Sequence, residues 1–246
     1  MRRALLLLIV VLLGPTAAHA GQDTAKAEHQ AGLVAYRRGD YTQALADFRE
    51  AAAQGNAGAE QSLGAMYYGG FGVPQNYAKA VQWSRLAAEQ GNVDAEFELG
   101  AMYSIGQGVS QNYAKAVKWY RLAAEQGVAI AADDLGVMYK YGHGVPQSYA
   151  KAVKWYRLAA KGGYAGAEFR LGGMYYNGQG VPQDYAKAIK LFRLAAAQRD
   201  ARAEYDLGVM YERGQGIPQN YTKALKWYLT RLRGFAPGFE GGGPPG

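Results

Sequence analysis

The 246-residue chain has no cysteine. A disulfide framework, a thiolate metal site and a lipoprotein anchor are therefore all excluded. Histidine is scarce, with three in all, and His19 lies in an N-terminal leader. That leaves His29 and His143, neither with a Ser or carboxylate in a catalytic motif beside it. The adjacent pair Asp133-Asp134 points to different faces of a helix, which argues against a general acid/base pair. No catalytic residue, cofactor or metal site is expected. No apolar run approaches the roughly 20 residues that span a bilayer.

One shorter apolar run is present, from Ala4 to Leu13. Arg2 and Arg3 precede it and Ala18-His19-Ala20 follows it, the three-part pattern of a cleavable signal peptide over residues 1–20. The expectation is an exported protein beginning at Gly21, in the periplasm or outside the cell. Formal charge is +7, and two of those charges are leader arginines. The remaining excess is that of a well-hydrated surface, without the clustered basic face of a nucleic-acid binder.

The main feature is a 36-residue repeat. Leu-Gly recurs at Leu63, Leu99, Leu135, Leu171 and Leu207, each followed by x-Met-Tyr. Tyr-Ala-Lys-Ala recurs from Tyr77, Tyr113, Tyr149 and Tyr185, and as Tyr-Thr-Lys-Ala from Tyr221. Each unit reads as two helices, with apolar residues at helical spacing. Gly-x-Gly-Val-Pro-Gln loops end the first helix. Asn76, Asn112, Ser148, Asp184 and Asn220 stand where the second helix needs an N-cap. The Gly of Leu-Gly lies inside a helix, at a cost of roughly 1 kcal/mol relative to Ala. Close approach of the small residue in the Ala80 slot is the expected compensation. A shorter hairpin spans 21–56, five full repeats span 57–236, and a Gly/Pro-rich tail, expected to be disordered, occupies 237–246.

These motifs, with Trp-Tyr-Arg-Leu-Ala-Ala-Glu-Gln-Gly, resemble the Sel-one-like repeat, a branch of the tetratricopeptide superfamily. The resemblance covers the five repeats and implies an all-α, right-handed solenoid of six hairpins. It also implies a scaffold or adaptor. A cysteine-rich branch linked to β-lactam hydrolysis is not matched, because this chain has no cysteine.

Two basic ladders recur with the repeat, Arg49, Arg85, Arg121, Arg157, Arg193 and Lys79, Lys115, Lys151, Lys187, Lys223. Salt bridges to the recurring Glu60, Glu96, Glu168 and Glu204 are the expectation. Slots that build the core repeat one residue type, whereas slots meeting a non-repeating partner are free to vary. The two positions after the invariant Tyr67 slot vary most. They nominate Tyr68, Lys140, Tyr141, Tyr176 and Arg213 as partner-binding residues. A protein or peptide partner is expected, with an envelope glycan, or a hydrolase acting there, as the alternative.

Overall fold

The computed structural model describes residues 15–233, with side chains over 21–230. The described residues form twelve α-helices and no strand. The helices are α1 (Pro15–Arg37), α2 (Tyr41–Ala53), α3 (Ala57–Gly69), α4 (Tyr77–Glu89), α5 (Val93–Ile105) and α6 (Tyr113–Glu125). They continue as α7 (Ala129–Tyr141), α8 (Tyr149–Lys161), α9 (Ala165–Asn177), α10 (Tyr185–Ala197), α11 (Ala201–Arg213) and α12 (Tyr221–Arg233). Odd and even helices pair as six hairpins. None of the described helices is long and apolar enough to cross a membrane. Residues 1–14 of the expected leader and the tail 237–246 lie outside the described residues.

The chain forms two compact units, Met1–Ala95 and Glu96–Gly246. In the first, α1 packs on α2, α2 on α3 and α3 on α4. In the second the succession runs from α6 to α12, and the first helices α7 and α9 also touch. Packing of each element on its neighbours in sequence makes a solenoid, as the periodicity predicts.

Local chemistry explains the regular boundaries. The five nominated N-caps all cap. The side-chain oxygens of Asn76, Asn112, Asp184 and Asn220 accept from the backbone N–H three residues on at 2.9 Å, and Ser148 does so at 3.3 Å. The glutamine of each loop has its own task. Gln75, Gln111, Gln147, Gln183 and Gln219 donate to the carbonyls of Tyr68, Ser104, Lys140, Tyr176 and Glu212 at 2.8–2.9 Å. These carbonyls belong to the last turn of the first helix and have no helical partner. The first loop glycine ends that helix in the left-handed region, as Gly142 does at φ 76°. The second brings repeats together: a Cβ on Gly180 would lie 2.5 Å from the backbone of Tyr149, at the start of the preceding repeat's second helix.

The Leu-Gly slot compensates differently from expectation. The Ala80 backbone does come near, its carbonyl 3.5 Å from a Cβ on Gly64, but the nearest neighbour is the residue four positions later. A Cβ on Gly64 would sit 2.7 Å from Ser84 Oγ, and one on Gly100, Gly136 or Gly172 would sit 2.5–2.6 Å from the ring of Tyr120, Tyr156 or Phe192. The missing side chain makes room for an aromatic ring, which buries more area than an alanine.

The ladders are also reassigned. Both converge on the invariant tyrosines of the Tyr67 slot. Lys79, Lys115, Lys151, Lys187 and Lys223 lie 5.1–5.6 Å from the ring centroids of Tyr67, Tyr103, Tyr139, Tyr175 and Tyr211. Arg49, Arg121, Arg157 and Arg193 donate to the hydroxyls of Tyr67, Tyr139, Tyr175 and Tyr211 in the next repeat, at 2.7–3.4 Å. The glutamates instead accept from glutamine. Gln90 bonds Glu60, Gln126 bonds Glu96, and Gln198 bonds Glu168. Buried carboxylates take this neutral donor because the cations are engaged on the tyrosines. In the repeat 129–164 the same two slots hold Ala132 and Gly162, so both partners are lost together.

Candidate functional site

The repeat 129–164 departs from its neighbours in several ways. Val128, ahead of α7, offers no side-chain cap, a feature shared with Tyr164 ahead of α9. The Glu–Gln clamp is gone. In its place α7 carries Asp133 and Asp134, just before Leu135. Asp133 is 1% exposed and pairs with Arg170 of α9. Asp134 is half-buried, and Tyr120 beside it holds Ser104 Oγ at 3.3 Å. Arg202 of α11 lies 4.5 Å from the Phe169 ring centroid and is bound by both oxygens of Asp200. Tyr156 rises from α8, fully buried. The two carboxylates that sequence separates by face therefore share one electrostatic cluster on the first-helix side of the second unit.

Titration reflects this crowding. Burial, then the charge of Asp133, pushes Asp134 up to about 6. Burial also raises Asp133, against the pull of Arg170. The Tyr120 hydroxyl is pushed up to about 12, chiefly by burial and then by the charge of Asp134. Asp206 of α11, in the same repeat slot as Asp134 and Arg170, is raised by burial and by Asp200. Three successive first helices thus present Asp134, Arg170 and Asp206 half-buried at one slot. This row is not among the residues nominated from the helix ends, although the slot varies along the chain as Ser62, Glu98, Asp134, Arg170 and Asp206.

A carboxyl whose folded pKa is raised contributes stability that is full below its unfolded value and lost as pH rises through the folded one. For Asp134 that window runs from about 3.8 to about 6. Asp134→Asn, which stays neutral and still accepts a hydrogen bond, is expected to be more stable than the wild type at pH 7.5 by about 1–3 kcal/mol. The gain should shrink towards zero by pH 4. Melting curves at the two pH values measure it; a gain independent of pH would show that the Asp134 charge is not the cause.

The residues nominated from sequence sit at the rim. Tyr141 is 58% exposed. Lys140 Nζ lies 5.2 Å from its ring centroid, and His143 stacks between Tyr141 and Tyr113, with centroids 6.0 and 4.9 Å apart. Tyr176 is half-buried; its hydroxyl donates to Gln215 Oε1 at 2.7 Å and its ring packs edge-on against Tyr185. Arg213 is exposed at the end of α11. Tyr68 belongs to the first unit, 42% exposed and edge-on to Tyr77. The structure therefore joins Lys140 with Tyr141, and ties Tyr176 into the next loop. His29 packs against Phe48 and lies 3.2 Å from Ser62 Oγ. Burial lowers its pKa. Among the described residues no group of three or more His, Cys, Asp or Glu is placed to hold a metal ion.

The Sel1 repeat family model matches residues 25–56, 57–92, 93–128, 129–164, 165–200 and 201–230. The first of these matches takes in the short N-terminal hairpin. The chain is similar to a protective antigen present in uropathogenic Escherichia coli strains, which displays an SLR fold, with 38% identity and a TM-score of 0.81. The match covers 87% of this chain and 47% of the antigen, so the chain spans about half its length. A Sel1 repeat protein from Oxalobacter formigenes is 36% identical, with a TM-score of 0.80 over 83% of this chain and 84% of that one. An immunity protein from Pseudomonas aeruginosa, 20% identical with a TM-score of 0.51 over 82% of each chain, shares the fold. No curated protein matches the chain.

Proposed function

The chain belongs to the Sel1 repeat family, and on that premise we propose that it is a non-catalytic scaffold that holds a protein or peptide segment against the first helices of its second unit, outside the cytoplasm. Sel1 repeat proteins generally mediate protein–protein interaction. The observation that carries the reading is the row Asp134, Arg170 and Asp206. Most recurring polar residues here serve the fold, as caps, loop ties or tyrosine clamps. This row changes residue type from each repeat to the next and keeps half-buried charge beside solvent. Desolvated charge flanked by exposed aromatic rings is what recognition surfaces use for specificity.

A photo-cross-linking residue placed at position 141 in the native host is expected to give a discrete protein adduct. The same residue at Lys154, exposed on the second helix of that repeat, is expected to give none. Equal labelling from both positions, or labelling from 154 alone, would move the binding surface elsewhere. Export rests on the pattern Arg2-Arg3, Ala4 to Leu13 and Ala18-His19-Ala20. N-terminal sequencing of the protein from the native host is expected to read from Gly21. A retained Met1 would overturn the export reading.

A further inference from the structure

We propose that the patch built by α7, α9 and α11 is a socket for a cationic side chain, the ammonium of a lysine or the guanidinium of an arginine on the bound segment. The inference rests on the reading that the first-helix face takes up a protein or peptide, and it adds the chemistry of what is bound.

The first observation is charge balance. Asp200 and Arg202 satisfy one another through two charge-assisted hydrogen bonds, at 3.1 and 2.6 Å. Setting that pair aside leaves Asp133 and Asp134 with Arg170, and Asp206 beside Asp200. Asp133 and Asp134 both lean on the one Arg170 guanidinium, Arg202 drawing on Asp133 only from within its own pair with Asp200. The side chain of Arg170 is 29% exposed and that of Asp133 is 2% exposed. The arginine is the outer member of its pair, and a ligand arriving from solvent meets Asp134 before Asp133.

The second observation is independent of the acids. The hydroxyl of Tyr156 is buried and has no hydrogen-bond partner in the structure, and neither has Oδ1 of Asp133, since Arg170 takes the other oxygen. A buried polar atom left unpaired costs about 1–3 kcal/mol, and each such atom in a folded protein calls for a reason. The Tyr156 ring packs against Gly136 of α7, one turn from Asp133, and its hydroxyl feels the charges of Asp133, Asp134 and Arg170. The two carboxylates are acceptors only, and the phenol oxygen can accept as well as donate. Their complement is positive charge carried on N–H donors. An ammonium has three such donors and a guanidinium five.

The rim supplies the rest of a basic residue's requirements. Tyr141 stands seven residues after Asp134, two turns along the same side of α7. Its exposed ring, braced by His143 and Lys140, offers an apolar face for the aliphatic stem of a lysine or arginine. An acidic side chain would add a further negative charge to carboxylates that already repel one another, and is rejected.

The test is a selection of displayed random twelve-residue peptides on the full-length protein. Support requires that the enriched peptides share a lysine or arginine, and that replacing it with norleucine weakens binding at least tenfold. Asp134→Asn, which keeps the fold, must weaken the wild-type-selected peptides by a similar factor. Peptides that bind without a common basic residue, or that bind Asp134→Asn as well as wild type, overturn the socket while leaving peptide binding intact. If no peptide is enriched, the peptide-binding reading fails and the socket fails with it.

Discussion

Arg170→Ala is expected to cost about 3–5 kcal/mol at pH 7.5, because it strands Asp133 as a buried charge without a partner. Asp133 is 1% exposed, so water cannot replace the guanidinium. Arg170 also holds down the pKa of Asp134, so its loss penalises two carboxylates together. The cost is a property of the ionised acids. Burial already raises both above their ordinary values, and without Arg170 they rise further. Each then contributes stability that is complete below its unfolded pKa and lost as pH rises through the folded one. The deficit of the variant should therefore be large at pH 7.5 and small near pH 4. Removing both charges, as Asp133→Leu with Arg170→Met, is expected to be nearly neutral. Thermal melts of the single and double variants at the two pH values decide the matter. A deficit equal at both pH values would assign the role of Arg170 to packing.

The second large effect is expected from Gly136→Val. A Cβ at this position lies 2.5 Å from Cε1 of Tyr156, a ring with no exposed surface. Such overlap is relieved only by moving the ring or parting α7 from α8, and overpacking of this kind costs about 1–3 kcal/mol. Gly173 provides the internal control. It too lies mid-helix, in α9, but a Cβ there meets nothing within 4 Å. Gly173→Ala is therefore expected to stabilise, by up to about 1 kcal/mol. Opposite signs of the two shifts in melting temperature test the packing argument. A Gly136→Val variant that melts like the wild type would refute it.

Much of the fold was legible in one dimension. A repeated residue at a fixed period reports a repeated environment, and five copies in register expose helices, caps and loops at once. Asn, Ser and Asp interchange at the second-helix cap because any of them offers an oxygen to the same backbone N–H. What failed was the pairing of recurrent residues. The Arg and Lys ladders and the Glu column share the period, and opposite charge suggested salt bridges. The cations instead bracket tyrosines and the glutamates meet glutamine. Periodicity says that a residue has a constant partner and is silent about which one.

The sequence by itself determined the hairpins, the loop glycines and the division between invariant and variable slots, because these depend on local backbone chemistry and helical spacing. Only the tertiary structure decided that Asp133 and Asp134 meet Arg170, whose number is 37 away from Asp133, and that Tyr156 is buried beneath them without a hydrogen bond. Stacking places one repeat's first helix against the next. The depth of a charge, and the partner available to it there, are set by that neighbour and not by the residues beside it in the chain.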